Sequence, residues 1–133
     1  MRLLIAGSRN LSPSLVDIDE AVERLAFQMG TFPGGAAEFL TLITAVISGC
    51  ARGVDAAGEA WAHARICPGP NCARHAGGPA FACDSVERHP ADWASFGHAA
   101  GPIRNGAMGR ACTAAIVFWD GASHGTASMI GEM

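Results

Sequence analysis

The sequence predicts a small α/β domain, a Rossmann-like three-layer sandwich on a mainly parallel sheet, and three observations carry that prediction. Runs at Leu3 to Ala6, Leu42 to Ile47 and Ala114 to Trp119 are apolar almost throughout, as strands covered on both faces must be. Segments with apolar residues at helical spacing alternate with these runs, which implies βαβ units with right-handed crossovers. Each run also gives way to a polar loop, most of them rich in glycine, at the strand end where open α/β sheets bind ligands.

The elements follow in order. Leu3 to Ala6 is the first strand, ending at Gly7-Ser8. Ser12-Pro13 has the form of a helix start, with Ser12 as the N-cap and Pro13 in the first helical position. Leu15, Ile18, Val22, Leu25 and Met29 then recur at helical spacing, so a helix is expected to run to about Gly30. Thr31 to Gly35 reads as a turn-rich connector and Leu42 to Ile47 as the second strand. Val54 to Arg65 is a helix with Ala57, Ala60 and Trp61 facing inward. Residues 67–84 are read as a loop insertion: Cys67 to Cys83 holds three prolines and three glycines without periodicity. Val86 to His89 is a short third strand, Ile103 to Cys112 a helix, Ala114 to Trp119 the fourth strand, and Gly125-Thr126 opens a last helix.

A chain of 133 residues makes one domain, 1–133, and half of it is hydrophobic, enough for a real core. The net charge of −3 speaks against a general nucleic-acid binder, so nucleic acid is not an expected partner. No apolar run reaches the length of about 18 residues that a membrane helix needs, and no membrane partner is expected. Five cysteines scattered through an α/β pattern fit a reducing cytoplasm better than a disulfide scaffold. Cys67, Cys72, His75 and Cys83 have metal-ligating side chains but lack the close Cys-x-x-Cys pairs of structural sites. Neither a metal nor a cofactor is therefore expected.

Four loops carry the candidate site. Gly7, Ser8 and Arg9 offer backbone amides, a hydroxyl and a guanidinium to a phosphate. In the second loop, Gly49, Cys50, Ala51, Arg52 and Gly53 lead into a helix whose amides point off the sheet edge. Asp55, just inside that helix, either answers the helix dipole or receives ribose hydroxyls. Arg104 and Asn105 open a helix where a cation opposes the dipole, a misfit that an anion would explain. Asp120, Gly121, Ser123, Gly125 and Thr126 have the spacing of a loop over a phosphate, with His124 beside them. Asp92-Trp93 reads either as packing against the sheet edge or as a stacking platform for a base. Cys50 has no His/Asp pair nearby in sequence and reads as a small filler rather than a nucleophile.

These motifs resemble a known group. Ile47-Ser48-Gly49-Cys50-Ala51-Arg52-Gly53-Val54-Asp55-Ala56-Ala57 is similar to the glycine-rich loop of the DNA-processing Smf/DprA family, and Gly101-Pro102-Ile103-Arg104-Asn105 to its Arg-Asn helix start. Over nearly the whole chain the order of Gly7-Ser8-Arg9, Gly49 to Asp55, Ala91-Asp92-Trp93 and Phe118-Trp119-Asp120-Gly121…Gly125-Thr126 resembles the small YspA-like family. That family belongs to the SLOG superfamily, which joins Smf/DprA with the Lonely Guy phosphoribohydrolases. The resemblance implies a Rossmannoid fold and a site for nucleotides or nucleotide-derived ligands such as ADP-ribose. Lonely Guy enzymes carry Pro-Gly-Gly-x-Gly-Thr-x-x-Glu, whose Glu acts in cleaving the N-glycosidic bond. Aligned on Gly125-Thr126, this chain has Met129 at that position and Glu132 one helical turn further on.

The expected function is sensing or sequestration of a nucleotide-derived small molecule in the cytoplasm by a homo-oligomer. Nucleotide N-glycoside or phosphoester hydrolysis and single-stranded DNA binding are the alternatives, and the catalytic residues of an enzyme are not readable.

Overall fold

The computed structural model describes residues 1–30, 32–67, 69, 72 and 83–133. Its centre is a four-stranded, all-parallel sheet of β1 (Arg2–Gly7), β2 (Ala45–Ser48), β3 (Val86–Arg88) and β4 (Ala114–Phe118) in the order β3-β2-β1-β4. The helices are α1 (Leu15–Met29), α2 (Gly35–Leu42), α3 (Val54–Arg65), α4 (Trp93–Phe96), α5 (Ala100–Ala111) and α6 (His124–Gly131). The α/β class and the Rossmann-like sandwich are as expected from the sequence.

Period-two alternation in β1 divides the core. Leu3 and Ile5 face one side, where Ile18, Val22 and Ala26 of α1, Phe39 of α2 and Trp61 of α3 pack with them. Leu4 and Ala6 face the other, against Met108 of α5 and Met129 of α6. Burying every residue from Leu3 to Ala6 on two helical layers explains why β1 reads as an unbroken apolar run. The indole of Trp61 is fully buried and donates from Nε1 to Asp19 Oδ1 at 2.8 Å, which joins α3 to α1. Asp19 also accepts three bonds from Arg65, and that guanidinium holds its carboxyl below the ordinary value.

Several boundaries differ from the sequence reading. The N-cap of α1 is Ser14, not Ser12: Asp17 stands three residues after Ser14 and completes a reciprocal capping box, whereas Leu15 follows Ser12 at that spacing. The stretch 35–42 forms α2, anchored by buried Phe39, so Leu42 ends a helix rather than starting β2. Ala60 is exposed; Gly58 and Ala62 share the inner face of α3 with Trp61. Helix α5 begins at Ala100 rather than Ile103, because a helical turn at Gly97–Ala99 feeds directly into it. Pro102 is tolerated there since first-turn amides have no partner within the helix. Of the 67–84 loop insertion, most residues, His75 among them, lie outside the described residues.

The strand order fixes where a ligand can sit. Successive crossovers through α1–α2 and α3 build outward from β1 to β3, and the crossover through α5 then returns to the far side of β1. The direction of winding across the sheet thus reverses between β1 and β4, and the loops after those strands part to leave a crevice at their carboxyl ends.

Candidate functional site

Around this crevice the loops are joined by specific bonds. Ser8, fully buried, accepts from the Asp120 amide through Oγ at 3.1 Å and lies 3.4 Å from the Thr126 hydroxyl. Its own amide donates to the Phe118 carbonyl at 3.0 Å. One hydroxyl therefore fixes the β1 loop against the β4 loop and α6. The β1 loop also closes on the β2 loop. Gly53 has φ +77°, and a Cβ there would lie 2.6 Å from the Arg9 carbonyl oxygen. Only glycine permits both that backbone conformation and that approach.

The β2 loop turns sharply at Cys50, a non-glycine residue with φ 63°. Its amide donates to Ser48 Oγ at 3.1 Å, and that hydroxyl donates to Glu59 at 2.6 Å. Burial pushes the Cys50 thiol above its ordinary value, which disfavours the thiolate and agrees with a structural filler. Gly49 is pressed between Arg104 and Asp55: a Cβ there would meet Arg104 Nη1 and Asp55 Oδ2, each at 2.8 Å. Arg104 donates to the Gly49 carbonyl through Nη1 and to Asn105 Oδ1 through Nε at 3.1 Å. Because α5 starts at Ala100, Arg104 and Asn105 occupy its second turn and not its start, so the expected conflict with the helix dipole does not arise. Asn105 is buried and donates to the Gly125 carbonyl at 3.3 Å, tying α5 to the start of α6.

Two adjacent hollows result. The outer one is a cleft of about 430 Å³ lined by Arg9, Gly49, Cys50, Ala51, Arg52, Pro90, Ala91, Trp93 and Arg104. An inner cavity of about 60 Å³ lies at the strand-order reversal and shares Arg9, Ala51 and Arg104 with the cleft. Its remaining wall includes Gly7, Asp55, Asn105, Ser123, Gly125 and Thr126. The four loops thus converge, but not every residue of them lines a cavity. Ser8 is occupied inside the loop network, and Gly53 meets the Arg9 backbone. Asp92 caps α4 by accepting from the Ser95 amide at 3.0 Å, while Trp93 stands 52% exposed at the cleft rim. Asp120 turns inward on its own loop, accepting from the amides of Ala122 and Ser123 at 2.9 and 2.8 Å, which hold its carboxyl below the ordinary value. Gly121 takes φ +81° within that turn. Pro90, Met108 and Met129 complete the walls without having been singled out as ligand contacts in the sequence; apolar side chains there carry no chemical signature.

The electrostatics divide in the same way. The outer cleft has three arginines on its walls and no carboxylate. Among the described residues, none of Arg9, Arg52 and Arg104 has a carboxylate oxygen within 4.0 Å. The inner cavity contributes a single carboxyl, Asp55. Burial holds it above its ordinary value, opposed in part by the Ala51 amide at 3.2 Å and by the charges of Arg104 and Arg9. A carboxyl whose folded pKa is raised contributes stability that is complete below the unfolded value of 3.8 and is lost as pH rises through the folded value. Asp55→Asn is therefore expected to gain stability relative to the wild type as pH rises from about 3.8 toward neutrality. Urea midpoints of both proteins across that range check this, and a constant difference between them would contradict it.

Glu132, the other acidic residue near the end of α6, lies against Gly106 and Gly109 of α5 and lines neither hollow. Met129 is buried in the core layer with Leu4 and Ala6. No helix among the described residues is long and apolar enough to cross a membrane. Compared with family models, with curated proteins and with solved structures, the chain finds no match.

Proposed function

We propose that this protein binds a nucleotide-derived small molecule, with its phosphates on Arg9, Arg52 and Arg104 and its base against Trp93. The observation that carries the reading is the cleft of three arginines that, among the described residues, have no carboxylate within 4.0 Å, in a chain whose net charge is −3. Positive charge gathered at one place on an acidic protein selects an anion there while the remaining surface repels it. The volume of the cleft, about 430 Å³, falls in the usual range for small-molecule sites. The Ser123 hydroxyl, which accepts from Thr126 Oγ1 at 3.2 Å, supplies an uncharged donor beside the guanidinium groups.

This reading supports recognition and retention of the ligand, as in a sensor or sequestering protein of SLOG type. Asp55 is the single carboxyl lining the inner cavity, and the position corresponding to the Lonely Guy glutamate holds a core methionine. Isothermal titration with AMP, ADP, ADP-ribose and ribose 5-phosphate, beside adenosine, tests the proposal. Phosphate-bearing compounds are expected to bind with an affinity that falls as salt rises, and adenosine about tenfold more weakly or less. Absence of binding by every phosphate-bearing compound would remove it. Release of free base during the same incubations would establish hydrolysis instead.

A further inference from the structure

At the opposite end of α3 from the cleft, side chains converge that the ligand site does not use. His63 lies in the last turn of α3, and Cys67 follows it by four residues, the spacing that stacks two side chains on one helix face. Cys83 stands just ahead of β3, and the two ends are held together independently of the thiols, since Ser85 Oγ donates to the Ile66 carbonyl at 3.1 Å. Cys72 is fully buried and its amide donates to the Gly69 carbonyl at 2.9 Å. One ligand atom from each of His63, Cys67, Cys72 and Cys83 can be chosen so that all four lie within 4.8 Å of one another.

We propose that His63, Cys67, Cys72 and Cys83 form a closed tetrahedral site for a zinc ion. Zinc–sulfur bonds of about 2.3 Å place ligand atoms of a tetrahedron roughly 3.7 Å apart, so side-chain rotations of about an ångström bring the four donors to bonding geometry. Three thiolates and one imidazole select zinc over the hard cations magnesium and calcium, which take oxygen ligands. Binding converts three thiols to thiolates and releases three protons, leaving the site with one net negative charge. All four positions are filled by protein, and His63 stands ten residues beyond Gly53, roughly 15 Å along α3 from the cleft loop. The ion is thus structural. It joins the end of α3 to Cys83 just ahead of β3, across a stretch whose sequence holds three prolines, three glycines and only Phe81 as a large apolar residue.

Elemental analysis of the full chain, purified under reducing conditions without chelators, is expected to give about one zinc per chain. Titration of the thiols with p-mercuribenzoate should release that zinc to a colorimetric chelator. Cobalt added to metal-free protein should give thiolate charge-transfer bands and the d–d bands of tetrahedral geometry. Cys72→Ala and Cys83→Ala are expected to weaken cobalt affinity by at least about tenfold, while Cys112→Ser, outside the cluster, keeps full stoichiometry. The wild-type cobalt titration decides the matter even where a variant fails to fold. A zinc-free preparation that also develops no cobalt bands would overturn the proposal. So would a disulfide among Cys67, Cys72 and Cys83 in freshly purified protein, or iron as the resident ion.

Discussion

Replacing Gly7 with alanine is expected to lower stability by about 3 kcal/mol or more and the melting temperature by roughly 10 °C. The residue ends β1 opposite Phe118 of β4, and a Cβ built on it would lie 2.1 Å from the Phe118 carbonyl oxygen and 2.7 Å from Val54 Cγ2. The first neighbour is backbone of the paired strand, so no side-chain rotation relieves the clash. The strands must separate, which breaks the bond from the Ser8 amide to Phe118 and disturbs the Ser8 contacts to Asp120 and Thr126. Differential scanning calorimetry measures the effect. Gly131→Ala, where a Cβ meets nothing within 4 Å, is the matched control and is expected to stay within about 0.5 kcal/mol of the wild type. Equal melting temperatures for the two variants would show that β1 and β4 are not held as closely as described.

Removing Arg104 is expected to have the largest effect on ligand binding. Its guanidinium lines both the outer cleft and the inner cavity, held in place by the Gly49 carbonyl and Asn105 Oδ1. A charge-assisted contact of this kind contributes about 1.5–3 kcal/mol, so Arg104→Ala should weaken a phosphate-bearing nucleotide by roughly 10–100-fold. Arg104→Lys should recover only part of that loss, because an ammonium lacks the planar fork that can hold Gly49 and a phosphate together. The dependence of affinity on salt should become shallower in the alanine variant. Titration calorimetry at two ionic strengths reads both effects, and wild-type affinity in Arg104→Ala would exclude the cleft as the phosphate site.

Much of the fold was legible where one signal dominated. Helix α3 begins and ends at Val54 and Arg65 as its sequence indicates, because Gly53 marks the entry and apolar residues recur at helical spacing up to Ile66. The loops after β1, β2 and β4 were legible because glycine and charge stand directly behind apolar runs. Helix α2 was not: Gly34-Gly35 resembles a turn, and burial of Phe39 against α1 outweighs the poor start. The beginning of α5 was hidden by Pro102, which reads as a break yet fits a first turn. His63 stands outside the 67–84 segment, and Cys67 lies four residues after it across a helix boundary. The relevant period there is that of the helix, not that of a loop motif.

Helix α3 makes the two ends of the molecule dependent on each other. Its first residues are seated by Gly53 on the β1 loop, and its last turn presents His63. A short, well-packed helix transmits rigid displacement better than it absorbs it, with Trp61 and Val54 fully buried along its length. Any coupling carried along this helix would be reciprocal by equilibrium linkage. On the proposed readings, an ion held at the far end would lower the entropy lost when a nucleotide enters the cleft, and an occupied cleft would make the far end slower to open.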